Sequence, residues 1–299
     1  MVAPRGDAPC FVGRCGVPVD LGDCGRGRRA RILASPTAEA AAARARRAEG
    51  GSTSRHGSRA DEHHEHQSSS AFFVDAVFIL NAVTQTEANE GIVAVSLARA
   101  AKLKRLVYMS VQNLNGAPHL PHLPHFGSKI GVEAAVKASK IPYTILQPNN
   151  FFHNDVWFKD VLLGYGVYPQ PLGSKGLHRV DARDIADAAV NALTATGFEN
   201  KTYVLAGPTV VNGNSTAEVW SSKLGKKITY GGDDLDAWAK AVSAMMPGWM
   251  VYDMRMMYAE FQENGLLATA SELADCEKVV GHPLRTYDAF AEELAKSWK

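Results

Sequence analysis

Apolar residues along this chain fall into two regimes that meet near residue 70. From residue 74 onward, short uninterrupted apolar runs alternate with stretches whose apolar residues recur every three or four positions. VDAVFIL (74–80) is such a run, and its length predicts a strand buried on both faces of a parallel sheet. A helix is expected next: Thr84 and Glu87 have capping-box spacing, then Ile92, Val95, Leu97, Ala98 and Ala101 follow at helical intervals until LKR closes the element. RLVYMSV (105–111) predicts a second strand, residues 130–139 a second helix, and PYTILQP (142–148) a third strand stopped by proline. Strands joined by helices in this way form right-handed crossover units, so the three should lie parallel with helices on both faces.

The remainder continues in the same style with less regularity. Residues 154–163 read as helical, 177–180 as extended, and 182–195 as a helix capped by Asp181. TYVLAGP (202–208) reads as a strand. Ser215 and Glu218 have the spacing of another capping box, for a helix ending at Gly225, and KKITY (226–230) reads as a short strand. Three helical stretches, 233–246, 249–264 and 286–298, complete the expected elements. Met245, Met246, Met250, Met254, Met256 and Met257 lie among them, where flexible thioethers suit either a plain core or an adaptable pocket.

Residues 1–70 follow a different rule. They contain 11 Arg and no Lys, whereas residues 71–299 contain 6 Arg and 15 Lys. With one aromatic residue, Phe11, and apolar fragments no longer than FV, VPV and RIL, this part has little surface to bury against its folding entropy. The expectation is a disordered Arg/Ala/Gly-rich extension, with helix formers at 36–49, ahead of one domain at 71–299. Its arginines are interspersed with eight acids and lack aromatic stacking partners, which argues against nucleic-acid binding.

Charge adds little. The 32 Lys+Arg against 31 Asp+Glu give a formal net charge of +1, so no global field selects nucleic acid or an anionic membrane. The chain shows neither a spanning apolar run nor a signal peptide, and a cytoplasmic location is expected. Cys10, Cys15, Cys24 and Cys276 match no zinc or disulfide spacing, and His119, His122 and His125 recur in a proline-punctuated loop without carboxylate or cysteine nearby; no metal site is expected.

Ligands of open α/β sheets bind outside the carboxyl ends of the strands. The residues there are Asn81, Ala82 and Val83 after the first strand, Ser110, Val111 and Gln112 after the second, and Pro148, Asn149, Asn150 and Phe151 after the third. Asn149 and Asn150 suit either a planar heteroaromatic ring or the cap of the next element. HLPHLPHFGSKIGVEAA delivers Ser128 and Lys129 to a helix start, where Lys129 either reaches a ribose hydroxyl or phosphate, or pairs with Glu133 on the surface.

VDAVFILNAV, RLVYMSV, PHFGSKIGVEAAVKASKIPYTILQPNNFF, VDARDIADAAVNAL and TYVLAGP, in this order and spacing, resemble the NmrA-like family of atypical short-chain dehydrogenases over residues 74–298. The resemblance implies a Rossmann-like doubly wound parallel sheet with a smaller helical C-terminal part (151–299), and NADP or NAD as cofactor. It implies an oxidoreductase of a small quinone or carbonyl substrate; some members instead sense cofactor redox state and act through protein partners. Lys129 stands where the family keeps the lysine of a Tyr-x-x-x-Lys pair, and His125 takes the tyrosine's place, which makes these two the catalytic candidates. Asn81, Ala82, Ser110, Val111, Lys129, Pro148, Asn149, Asn150 and Phe151 match cofactor-side positions. The family's opening strand and GxxGxxG turn, which admits the pyrophosphate to a helix N-terminus, have at best a degenerate trace here, Gly13 and Gly16 in GRCGVPVDLG without a strand before or an amphipathic helix after. The sheet is therefore expected to be incomplete at its N-terminal side, and a third reading is a shortened member with impaired cofactor binding.

Overall fold

Among the described residues, five short runs pair into one sheet. In chain order they are β1 (Ala30–Leu33), β2 (Ala76–Ile79), β3 (Arg105–Met109), β4 (Tyr143–Pro148) and, after the two-residue β5 (Val167–Tyr168), β6 (Lys201–Leu205). Their order in space is β1-β2-β3-β4-β6, and every neighbouring pair is parallel. The structure, a computed structural model, describes residues 30–33, 75–112 and 122–298. Ile79 lies opposite Tyr108, Met109 opposite Leu146 and Pro148 opposite Leu205, so the strands end at a common edge.

The sheet is covered on both faces, as its uninterrupted apolar runs require. Side chains alternate across a strand. On one face Val77, Ile79, Leu106, Tyr108 and Ile145 pack with Val95 of α1 (Glu87–Ala100) and with Val132 and Val136 of α2 (Pro124–Ala138). On the other, Phe78, Val107 and Leu146 pack with Ile185 and Ala188 of α4 (Ala182–Thr194) and with Val279 and Val280 of α8 (Ala270–Val280). Each large aliphatic side chain so buried contributes about 1.5–3 kcal/mol. The two helices on the first face come unusually close at Gly91, where a Cβ would meet Val132 Cγ2 at 2.6 Å.

The C-terminal part has its own core. A 3-10 helix (Phe152–Phe158) runs into α3 (Lys159–Tyr165), β5 pairs with β7 (Thr229–Tyr230), and α5 (Gly213–Leu224), α6 (Leu235–Val242), α7 (Gly248–Asn264) and α9 (Tyr287–Ser297) surround them. Trp220, Tyr168, Leu172, Met257, Tyr258 and Phe261 form its centre. Beneath it the Arg179 guanidinium and Asp155, both fully buried, form an ion pair at 2.8 Å, and Asp155 also accepts from Tyr168 Oη, Tyr287 Oη and Trp220 Nε1.

Several expectations are corrected. The RIL fragment, assigned to an extension, belongs to β1, because the edge of β2 offers it a full row of backbone partners. The rest of residues 1–70, with the candidate helix at 36–49, Cys10, Cys15 and Cys24, lies outside the described residues, as does His119. The second helix starts at Pro124 rather than near 130: proline is tolerated in the first turn of a helix, so here it opens the element instead of breaking it. Thr84 and Glu87 form no capping box, since Glu87 turns its carboxylate toward α2 instead. Asn212, not Ser215, caps α5; Ser215 is the third residue of that helix and completes a reciprocal box with Asn212. Helix α8 went unread, although Thr269 and Glu272 form a true capping box at its start. Met254, Met256 and Met257 join the C-terminal core, while Met245 is 74% exposed.

Candidate active site

The crossover connections bring the first turns of α1 and α2 to the carboxyl edge of the sheet, beside the residues that follow β2, β3 and β4. Residues distant in sequence meet there. Lys129, on the second turn of α2, is 7% exposed, and its Nζ donates to Oε1 of Glu87, which opens α1 and is fully buried. Ser128 Oγ donates to the other carboxylate oxygen of Glu87 at 3.0 Å. The alternative pairing of Lys129 with Glu133 is therefore corrected: Glu133 faces the strands instead. It accepts from Ser110 Oγ at 2.6 Å and from Gln147 Nε2 at 2.8 Å, and Lys137 reaches it from one turn on.

His125 precedes Lys129 by one helical turn and shares its side of α2. It is buried, its ring Nδ1 lies 2.7 Å from Asp253 Oδ1, and Phe126 packs on it edge to face with ring centroids 4.6 Å apart. Asp253 comes from the middle of α7, so the C-terminal part closes over the start of α2. Near the two acids of the first face, the Tyr108 hydroxyl is buried without a hydrogen-bond partner among the described residues. Burial, reinforced by Glu87 and Glu133, pushes its pKa far up and keeps the phenol neutral.

The remaining expected positions divide by geometry. Asn81 lies two residues beyond β2 with its Oδ1 buried and unpartnered among the described residues; Ala82 is exposed and Val111 half-buried. Ser110 is committed to Glu133. Pro148 is buried in β4, and Phe151 packs half-buried on the core of the second face. Asn149 does not cap the next helix: its Nδ2 donates to Gln112 Oε1 at 2.6 Å and to the Leu266 carbonyl at 2.8 Å, while its Oδ1 accepts from the Asn150 backbone. Asn150 Oδ1 accepts from Arg179 Nε. The amide pair thus ties the segment after α7 and the buried Arg179 to the sheet edge. His178 belongs to the same seam. Its Nδ1 accepts from the Ala268 backbone N–H, and burial lowers its pKa, so the ring is a neutral acceptor there.

Sequence reasoning missed Glu87 as an anchor and Asp253 altogether. For Asp253 a signal existed, an acid set within the apolar stretch WMVYDMRMMY of a helix. Among the described residues the other gathering of ligand-type side chains is Asp184, Asp187 and His282, and the Arg285 guanidinium lies in its midst, donating to both carboxylates.

The model of the NmrA-like family matches residues 30–292. The chain belongs to the NmrA-like family. Its parallel sheet, crossover helices and helical C-terminal part fit that assignment, as does the inclusion of β1 at the start of the match. Among curated relatives, the chain is 29% identical to an NAD(P)H azoreductase of Xenophilus azovorans, over 75% of this chain and 77% of that protein. It is 27% identical to a (4-alkanoyl-5-oxo-2,5-dihydrofuran-3-yl)methyl phosphate reductase of Streptomyces griseus, again over 75% and 77% of the two chains. Among solved structures, an NADPH-dependent quinone oxidoreductase from Escherichia coli, in complex with NADPH, superposes with a TM-score of 0.66 at 22% identity, covering 74% of this chain and 76% of that one. Among the described residues, no helix is long and apolar enough to cross a membrane.

Proposed function

We propose that this member of the NmrA-like family is an NAD(P)H-dependent oxidoreductase acting on a small conjugated acceptor, a quinone or a related carbonyl compound. The observation that carries the reading is the buried His125–Lys129 pair on one face of α2, each residue held by an acid from a different element, at the edge where open α/β sheets bind ligands. The family membership and the names of its relatives support the same class of chemistry.

The residues present suit the ribose and nicotinamide side of a dinucleotide. Asn81 Oδ1 is a buried acceptor in want of a donor, which a ribose hydroxyl supplies, and Lys129 has ammonium protons beyond the one given to Glu87. The pyrophosphate side fits less well, because residues 34–49, directly after β1, contain no glycine. Reduced nicotinamide, when bound, supplies a hydride. The protein's own share is to orient the ring, exclude water and bring a proton to the acceptor. Anaerobic incubation of the purified protein with NADPH or NADH and a panel of quinones, azo dyes and unsaturated lactones tests this. Oxidation of the nicotinamide coupled to acceptor reduction is expected. Binding of dinucleotide with no turnover of any acceptor would point to a redox-sensing role instead.

A further inference from the structure

The reductase reading leaves open how the acceptor receives its proton, and the contacts of His125 bear on that. Asp253 is 1% exposed, and burial of a carboxylate demands hydrogen bonds in return. Its Oδ1 lies 2.7 Å from His125 Nδ1 and 3.5 Å from the His125 backbone nitrogen, while its Oδ2 has no partner among the described residues. A carboxylate only accepts, so Nδ1 must carry its hydrogen and donate it to Asp253. Nε2 is left as the nitrogen whose proton can come and go, and among the described residues the ring's side-chain hydrogen bond is that of Nδ1 to Asp253. The edge-on Phe126 ring holds the imidazole plane, and Lys129 is fixed one turn away by Glu87, so both groups keep a set relation to the sheet edge.

We propose that His125 and Asp253 form a proton-donating dyad, in which His125 Nε2 protonates the acceptor atom of the substrate and Asp253 is the positioning residue. This rests on the reductase reading. The substrate class it implies is a conjugated acceptor whose reduction places negative charge on a heteroatom: a quinone or enone oxygen, or an azo nitrogen. Hydride enters at one end of the conjugated system, the π bond breaks, and its electron pair moves to the heteroatom. The Nε2–H bond of the imidazolium then breaks, its electron pair stays on the ring, and a new O–H or N–H bond forms. The sum is acceptor plus reduced dinucleotide plus one proton giving reduced acceptor and oxidised dinucleotide, with the ring reprotonated from water. Asp253 exchanges no proton; it holds the Nδ1–H and stabilises the imidazolium, a role for which a buried acid beside a catalytic histidine is well suited.

The test combines ring-nitrogen NMR of protein labelled with 15N-histidine and kinetics of Asp253→Asn and His125→Gln. In the unsubstituted protein the His125 ring should carry its proton on Nδ1; in Asp253→Asn that preference should be lost. Both variants should lower kcat about 10²-fold or more, the usual share of a general acid, with dinucleotide affinity unchanged. If Asp253→Asn does not fold, His125→Gln carries the kinetic arm. A neutral ring in the unsubstituted protein with its single proton on Nε2 and none on Nδ1, or full kcat in His125→Gln, overturns the dyad while leaving the reductase reading in place. Failure of the folded protein to bind either dinucleotide overturns both, and an intact Nδ1–H signal would then assign the pair to structure alone.

Discussion

At the scale of single residues, the site is built from charges that would be costly alone. Glu87 is fully buried, and Lys129 is its cationic partner. Removing one member of such a pair leaves an uncompensated charge, which typically costs about 3–5 kcal/mol, whereas removing both with polar isosteres is far milder. Lys129→Gln is therefore expected to lower stability by roughly that amount, and Glu87→Gln/Lys129→Gln to recover most of it, as read by urea denaturation. The double variant should still bind dinucleotide about 5- to 30-fold more weakly, the loss of one charge-assisted hydrogen bond. Unchanged affinity in the double variant would reduce Lys129 to a structural role. The segment PHFGSKIGVEAA displays His125 and Lys129 at a helical interval, so that pair is legible in the sequence. Their acidic partners are not, because Glu87 and Asp253 stand 42 and 128 residues away and no local pattern encodes such contacts.

Among elements, what reads well is what depends on local periodicity. Strands β2, β3 and β4 emerge from their apolar runs because burial on both faces leaves few polar positions to interrupt the pattern. The start of α2 is harder, since proline signals either a break or a first turn, and the packing of Phe126 and Val132 decides between them. Helix α8 is hidden for another reason: it follows an irregular segment whose backbone is held by His178 and Asn149, contacts invisible in sequence. Two junctions between elements carry predictions. Asp155 ties the 3-10 helix to β5, α5, α9 and Arg179, and Asp155→Asn should cost about 3–5 kcal/mol by stranding a buried guanidinium. A loss under about 1 kcal/mol would mean that the network relaxes around the change.

The second junction is pH-sensitive. His282 is held above its usual 6.5 by the Pro283 carbonyl and by Asp187. Burial pushes the Asp187 carboxyl up, but hydrogen bonds from His282 and Arg285 outweigh it and hold the group below 3.8. A raised histidine stabilises the fold fully below its unfolded pKa, and that share fades as pH climbs through the folded value; Asp187 contributes above its own unfolded pKa. His282→Gln should therefore destabilise most at about pH 5–6 and least in alkali. A difference in denaturation midpoint that does not vary with pH would contradict the linkage.

For the whole molecule, the parallel sheet with its aligned strand ends was legible from the alternation of strands and helices, as were three of the C-terminal helices. The first strand was not, because four residues, ARIL, in an arginine-rich context give no periodic signal until the edge of β2 pairs with them. The fold and family call for a dinucleotide at the carboxyl edge, yet the residues following β1 lack the glycines that bring backbone close to a pyrophosphate. Affinity must then come chiefly from the ribose and nicotinamide side, around Asn81 and Lys129. Calorimetric titration of the purified, folded protein with NADPH and with NADH tests that claim most directly. One saturable site for at least one of them, weakened by the Glu87→Gln/Lys129→Gln pair, is the predicted result; no heat with either dinucleotide would contradict it.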